Sequence, residues 1–210
     1  VAFDDRKPNI DDAGVYGASF GAVHQKTRCL CTNLPTIDAH GGERRHHVGD
    51  KGHIAKAHHG GDSSKIFICG QSAGGAHVAN YAFRKDMHLP SGPGFCGVIL
   101  LSGPFSVTAG KVTENALNYY GSDESQYNKM HLLGNITYFD TPVFIGYSEF
   151  DPPSFKANSA ELSMKMIQLS GKSPRTQLFK GHNHYSPAFS FRTDDVTVSG
   201  AVLDFCLKNC

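Results

Sequence analysis

The stretch Gly70-Gln71-Ser72-Ala73-Gly74-Gly75 contains a G-x-S-x-G pentapeptide. The apolar run Lys65-Ile66-Phe67-Ile68-Cys69 precedes it and predicts a buried strand. Apolar residues recur after it at helical spacing, at Ala76, Ala79, Ala82 and Phe83. A strand, a sharp turn and a helix in this order are the setting that lifts a nucleophilic serine hydroxyl clear of a sheet edge. The stretch therefore predicts an α/β fold with Ser72 as a nucleophile.

The start of the predicted helix would also supply hydrogen-bond donors. The free N–H groups of the first turn and the positive end of the helix dipole would face a reacting carbonyl. By its position directly after Ser72, the backbone N–H of Ala73 is the expected oxyanion donor. The alternative interpretation is a glycine-rich turn that contains a serine by chance.

A nucleophilic serine needs an acid and a base, and two acids follow the next clear strand pattern. The run Thr141–Tyr147 predicts a buried strand, and Glu149 and Asp151 come directly after it. Functional groups in open α/β sheets lie beyond the carboxyl ends of strands. We favour Asp151, because Pro152-Pro153 then stops the chain and restarts it as a helix. Glu149 is the second candidate, and a solvated loop acid is the alternative for either.

The base is expected after the last predicted strand. Thr176–Lys180 predicts this strand, and the segment 181–186 that follows contains two histidines. We favour His184, which lies deeper in the predicted loop between Asn183 and Tyr185. His182 would then support the site from behind or lie at its rim. Nucleophile, acid and base would thus each follow a strand, in the order Ser, Asp, His.

Several segments resemble the carboxylesterase and hormone-sensitive-lipase-like family of α/β-hydrolases. Residues 60–66 and 70–75 are similar to the family's GGD-x-x-x-I and G-x-SAGG motifs, and residues 119–123, 149–155 and 181–184 are similar to later segments. The resemblance runs from about residue 50 to the end of the chain. It implies an α/β-hydrolase fold, a mostly parallel sheet with helices on both faces. It also implies Ser72 as nucleophile, Asp151 as acid, His184 as base and ester hydrolysis without a cofactor.

The first 50 residues depart from that family. Its members carry an HGGG-type segment whose N–H groups complete the oxyanion hole, and this chain has no such run. His40-Gly41-Gly42 is only 32 residues before Ser72, too near to take that place. Residues 1–50 are therefore expected to be divergent or truncated, with the family's first strands missing or altered. The second oxyanion donor stays unassigned.

The rest of the chain predicts one α/β-hydrolase domain over residues 1–210. Cys96–Leu101 predicts a further strand, residues 105–140 a cap or excursion over the site, and Val196–Leu207 a closing helix. Five side chains are candidates for the walls of a substrate pocket, and core burial would explain the aromatic ones nearly as well. These candidates are Gln71, Phe105, Tyr119, Tyr120 and Phe155.

Composition excludes several classes of function. The net charge of +1 indicates no polyanion partner such as nucleic acid, and no apolar run is long enough to predict a membrane span. The twelve histidines form no H-E-x-x-H motif, so we expect no metal. Of the six cysteines, Cys69 and Cys96 are expected to be buried free thiols, and the compartment and oligomeric state are left open.

Together these patterns predict a serine esterase that acts on a small-molecule ester. The same catalytic groups would serve an amidase or peptidase, since leaving-group preference is not visible in these residues. The missing HGGG segment keeps a third interpretation open, a catalytically impaired hydrolase-like binding module.

Overall fold

The computed structural model describes residues 21–24, 27–30, 65–88, 90–106 and 132–209, and five single positions between 117 and 127. The first two segments, β1 (Gly21–His24) and β2 (Thr27–Leu30), form an antiparallel pair. The predicted divergence of residues 1–50 concerns a region that lies mostly outside the described residues.

A parallel four-stranded sheet forms the centre of the described structure. Its strands are β3 (Phe67–Gln71), β4 (Gly97–Leu101), β5 (Val143–Phe150) and β6 (Arg175–Asn183), and they lie side by side in chain order. All three neighbouring pairs are parallel. Each carboxyl end therefore lies at the same edge of the sheet, where the sequence places its candidate site residues.

Helices cover both faces of the sheet. They are α1 (Ala73–Phe83), α2 (Pro153–Ser170), the short α3 (Ser186–Phe189) and α4 (Thr197–Lys208). Pro153 stands at the first helical position of α2, and Gly171 ends this helix with a left-handed φ of 69°. The α/β class, with a parallel sheet between two helical layers, is confirmed.

Two hydrophobic cores separate the sheet from its helices. Because strand side chains alternate between faces, Ile68 and Leu100 enter one core while Cys69 and Leu101 enter the other. The first core joins the sheet to α1 and α2, and the second joins it to α4. Every residue of β4 is buried, as expected for a central parallel strand covered on both sides.

Strand ends differ from the predicted ones. Both β5 and β6 continue beyond their predicted limits, so that Glu149 and residues 181–183 belong to strands rather than to loops. Ser148 of β5 lies opposite Phe179, but Phe150 lies opposite Asn183, so β6 has two more residues than β5 across this step. Most of the added residues are polar or glycine, and Glu149, Gly181 and Asn183 among them are exposed, so no apolar strand pattern is visible there in the sequence.

Two further comparisons with the prediction concern the cysteines and one segment. Cys96 is bonded in a disulfide, so its predicted free thiol is wrong, whereas Cys69 is free and buried. Most of the predicted excursion over residues 105–140 lies outside the described residues. In its described part, Leu132 and Leu133 are buried in the first core rather than over the site.

Candidate active site

Ser72 lies on a strained turn between β3 and α1. Its φ of 53° is in the left-handed region, which costs a residue with a side chain about 1 kcal/mol or more. Glycines allow the turn to be this tight, because a Cβ at Gly70 would overlap the backbone carbonyl of Gly74. On the other side of the turn, a Cβ at Gly75 would lie 3.3 Å from the Cα of Gly103. Close backbone packing therefore holds Ser72 in its strained conformation.

The Ser72 hydroxyl is directed at a histidine instead of at its own helix. A serine that precedes a helix usually caps it with its side chain. Ser72 makes no such side-chain bond, and its Oγ lies 2.8 Å from Nε2 of His184. The other ring nitrogen of His184, Nδ1, lies 2.8 Å from Oδ1 of Asp151. The three side chains therefore form one continuous hydrogen-bonded chain.

Asp151 is buried at the carboxyl end of β5, with 4% of its surface exposed. Its Oδ2 accepts two short hydrogen bonds of 2.6 Å, from the hydroxyl of Ser102 and from the backbone N–H of Ser148. Burial alone would raise the pKa of Asp151, but the hydrogen bonds from His184, Ser102 and Ser148 outweigh it and hold the pKa below its ordinary value. The carboxyl group is therefore ionised at neutral pH, the form that can accept the Nδ1–H of His184.

The second candidate acid, Glu149, has a different partner. Its side chain is exposed, and Oε2 accepts the backbone N–H of Gly181 at 2.8 Å. Gly181 has a φ of 76° and lies at the step between β5 and β6. Glu149 therefore holds the irregular part of β6, and of the two acids it is Asp151 that contacts His184.

A hydrogen-bonded turn carries His184. The side-chain oxygen of Asn183 accepts the backbone N–H groups of Tyr185 and Ser186, both at 3.0 Å. The side-chain amide of Gln71 donates to the backbone carbonyl of His184, 113 residues away along the chain. Gln71 was a candidate for the substrate pocket, and its observed partner is the turn that carries the histidine.

The other pocket candidates are placed in three different ways. Phe155 of α2 packs on the imidazole of His184, with 4.5 Å between the ring centroids. Phe105 is only 2% exposed and belongs to the first core, where its ring lies against Gly103 beneath the Ser72 turn. Tyr119 and Tyr120 lie outside the described residues.

Ala73, the candidate oxyanion donor, is exposed at the start of α1, where N–H groups have no partner within the helix.

Sequence reasoning missed Ser102 and Ser148. Ser102 directly follows β4, so the strand-end rule that found the other site residues would also have found it. Its φ of 48° turns the chain out of the strand, and its buried hydroxyl reaches Asp151. Ser148 contributes its backbone N–H, which leaves no mark in a sequence.

Two further properties bear on the chemistry of the described part of the chain. No three His, Cys, Asp or Glu side chains in it are grouped so that they could hold a metal ion. None of its helices is both long enough and apolar enough to cross a membrane.

No protein-family profile and no curated protein sequence matches the chain. Many solved structures resemble it, and three of them serve as examples. A candidate carboxylesterase from Lactobacillus plantarum has a TM-score of 0.57 and 22% identity, over 77% of this chain and 63% of that one. Propionate-bound esterase 2 from Thermogutta terrifontis has a TM-score of 0.53 and 17% identity, over 75% and 58%. Dipeptidyl peptidase 4 from Porphyromonas gingivalis has a TM-score of 0.52 and 16% identity, over 71% and 20%.

These similarities, together with the parallel sheet and its helical layers, show that the chain has the α/β-hydrolase fold. The chain spans less than two thirds of the length of each of these structures. At identities of 16 to 22%, the likeness establishes the fold alone, since one fold hosts many activities.

Proposed function

We propose that this protein is a serine hydrolase that cleaves carboxylic esters, with Ser72 as nucleophile, His184 as general base and Asp151 as the acid that orients it. The observation that carries the proposal is the pair of 2.8 Å hydrogen bonds that His184 makes, one to each partner. A neutral imidazole that donates from Nδ1 to a carboxylate has its Nε2 lone pair free to accept the serine proton.

Acylation begins when Oγ of Ser72 attacks the ester carbonyl carbon. His184 Nε2 takes the hydroxyl proton as the new C–O bond forms, and the carbonyl oxygen becomes an oxyanion. The ionised Asp151 stabilises the imidazolium that results. The intermediate collapses when the bond to the alcohol oxygen breaks and His184 returns the proton to the departing alcohol. The product of this step is an acyl-enzyme on Ser72.

Deacylation repeats these steps with water. His184 accepts a proton from the water as its oxygen attacks the acyl carbon, and Ser72 leaves with the proton that His184 returns. In both steps the N–H of Ala73 would donate to the oxyanion, since Ala73 begins α1, where N–H groups have no partner within the helix. The second donor is not assigned.

The choice of esters rests on the solved relatives. The Thermogutta esterase has been observed with propionate, a short carboxylate of the kind that hydrolysis of a propionyl ester would release. It has also been observed phosphoramylated by tabun, an organophosphorus compound. Both observations support short acyl esters and an organophosphorus probe as the first reagents for this chain.

The similarity to dipeptidyl peptidase 4 favours a second candidate, an amidase or peptidase that uses the same three residues. It covers only 20% of the longer protein, which makes it the weaker support. The third interpretation, an impaired binding module, would not require three side chains to stay within hydrogen-bonding distance.

The test is hydrolysis of p-nitrophenyl propionate by the purified chain and by Ser72→Ala. We expect wild-type turnover and a loss in the variant of about 10⁶-fold, the scale at which a serine nucleophile is removed. A fluorophosphonate probe should label the wild type at Ser72, identified by peptide mass spectrometry, and should not label the variant.

A p-nitroanilide with the same acyl group tests the second candidate. Faster turnover of the anilide than of the ester would favour the amidase. Equal rates in wild type and Ser72→Ala, without probe labelling, would overturn the serine hydrolase and favour a binding module.

A further inference from the structure

His182, the histidine that does not contact Ser72, is buried and bonded at both ring nitrogens. It is 5% exposed, and its ring packs edge-on against Phe179, with 6.1 Å between the centroids. Nδ1 lies 3.0 Å from the hydroxyl of Ser186, and Nε2 lies 3.1 Å from Oδ2 of Asp195. A buried imidazole with two such partners has a fixed orientation.

The partners of His182 assign its proton positions. A carboxylate can only accept, so Nε2 carries the hydrogen that is donated to Asp195. In the neutral ring Nδ1 then accepts the hydroxyl hydrogen of Ser186. Ser186 Oγ in turn accepts the backbone N–H of Asn183 at 2.9 Å. The result is a chain of bonds from Asn183 through Ser186 and His182 to Asp195.

This chain joins three elements around the turn that carries His184. His182 lies at the end of β6, Ser186 begins α3, and Asp195 lies just before α4. Asp195 is itself anchored, because its Oδ1 accepts the backbone N–H of Thr197 at 3.0 Å. His184 lies inside the turn, between Asn183 and Ser186, so the turn cannot shift without breaking one of these bonds.

We propose that His182 is a positioning residue, which holds the 183–186 turn so that His184 keeps Nε2 on Ser72 and Nδ1 on Asp151. The inference rests on the proposed function, since it assigns a role in that same site. Reacting groups must be placed to within about 0.5 Å, and a misplacement of about 1 Å can cost about 100-fold in rate. Gln71 restrains the same turn through a separate bond, to the carbonyl of His184.

The main test is His182→Phe, which keeps an aromatic ring but removes both hydrogen bonds. With p-nitrophenyl propionate we expect kcat to fall by about 10- to 100-fold while KM changes by less than about threefold. His182→Gln, whose amide can still donate to Asp195, should recover a large part of the lost kcat. A purely structural role would not produce this split or this rescue.

Asp195→Ala is the second variant, because it removes the exposed partner and leaves the buried ring in place. It should lower kcat about tenfold, while the neighbouring exposed Asp194→Ala should not. In the double variant His182→Phe/Asp195→Ala, the effects should be clearly less than additive, since both changes break the same chain. Thermal unfolding of each variant checks that the folded state is present at the assay temperature.

The possible failures can be told apart. If Ser72→Ala is inactive but His182→Phe retains the wild-type kcat, the positioning role is overturned and the proposed hydrolase stands. The role is also overturned if Asp194→Ala and Asp195→Ala lower kcat equally, or if the double variant is fully additive. If Ser72→Ala keeps wild-type activity, the proposed function itself fails.

Discussion

The turn after β3 and the loops after β5 and β6 hold their site residues by different physical means. Ser72 is held by backbone packing, with glycines that allow a strained φ and no side-chain cap. Asp151 and His184 are held by hydrogen bonds from neighbouring side chains and backbone groups. The nucleophile should therefore be sensitive to added volume, and the acid and base to lost polar partners.

The largest effect is expected from Gly70→Ala, which breaks the packed turn. The new Cβ would overlap the backbone of Gly74, so the turn must open, at a cost of about 3 kcal/mol or more in the free energy of unfolding. Esterase activity should fall to background even in protein that remains folded. Urea unfolding and p-nitrophenyl ester hydrolysis measure the two effects.

Gly171→Ala is the matched control for that variant. Unlike Gly70, Gly171 has a positive φ, of 69°, but a Cβ there meets nothing within 4 Å. We expect a cost of about 1 kcal/mol and unchanged activity. Equal losses of activity in the two glycine variants would contradict the packing argument.

Next in size is Asp151→Asn, which keeps the shape of the acid and removes its charge. Since the imidazolium of His184 would lose its counter-charge, kcat should fall by about 10³- to 10⁴-fold. Glu149→Gln, two residues earlier, keeps an oxygen for the N–H of Gly181 and should change kcat by less than about twofold. A larger loss of kcat in Glu149→Gln than in Asp151→Asn would reverse the assignment of the two acids.

An intermediate effect is expected from Asn183→Ala, which removes the acceptor of two N–H groups in the histidine turn. The expected loss in kcat is about tenfold, because the turn gains freedom while His184 itself is intact. The free energy of unfolding should fall by about 1 kcal/mol, as for a lost helix cap. Unchanged kcat would mean that the bonds of Gln71 and Ser186 hold the turn without Asn183.

Ser102→Ala is expected to have the smallest effect on rate, about threefold to tenfold, since two donors to Asp151 remain. The variant should be recognised by how its free energy of unfolding changes at acidic pH. The pKa of Asp151 is depressed, so its contribution to stability is present above the unfolded pKa and is lost as the pH falls through the folded pKa. Losing the Ser102 donor raises the folded pKa of Asp151 toward the unfolded one, so this contribution should be smaller in the variant and should be fully lost at a higher pH.

Urea unfolding of wild type and Ser102→Ala between pH 3 and pH 7 measures this change. The difference between the two proteins in the free energy of unfolding should be about 1 to 3 kcal/mol near neutral pH. It should shrink as the pH falls below the folded-state pKa of Asp151 in each protein. A difference that does not vary with pH would mean that Ser102 stabilises packing and not the charged carboxylate.

The sequence predicted what depends on local pattern. Ser72 follows from a motif between a strand and a helix, and Asp151 and His184 directly follow β5 and β6 in the expected chemical order. The burial of Ala76, Ala79, Ala82 and Phe83 in α1 follows from helical spacing. The catalytic roles of Ser72, Asp151 and His184 stay predictions until the variants are measured.

The rest depends on contacts between distant parts of the chain. Nothing local marks the bond from Gln71 to the carbonyl of His184 or the one from Ser102 to Asp151. The bond of Glu149 to Gly181 likewise depends on the pairing of β5 with β6, and that of His182 to Asp195 depends on where the segment before α4 lies. The disulfide of Cys96 is of the same kind, since its strand pattern is equally compatible with a free thiol.

The two additional residues of β6 opposite the end of β5 have a consequence for evolution and for protein engineering. They lie on an exposed stretch of chain, where insertions and deletions are usually harmless. Deleting Lys180 and Gly181 would make the ladder regular, but it would also shift His184 along the strand by about 7 Å. Ser72 and Asp151 would then be out of its reach. This exposed stretch is therefore expected to tolerate no change in length, and a library that varies segment lengths should leave this one fixed.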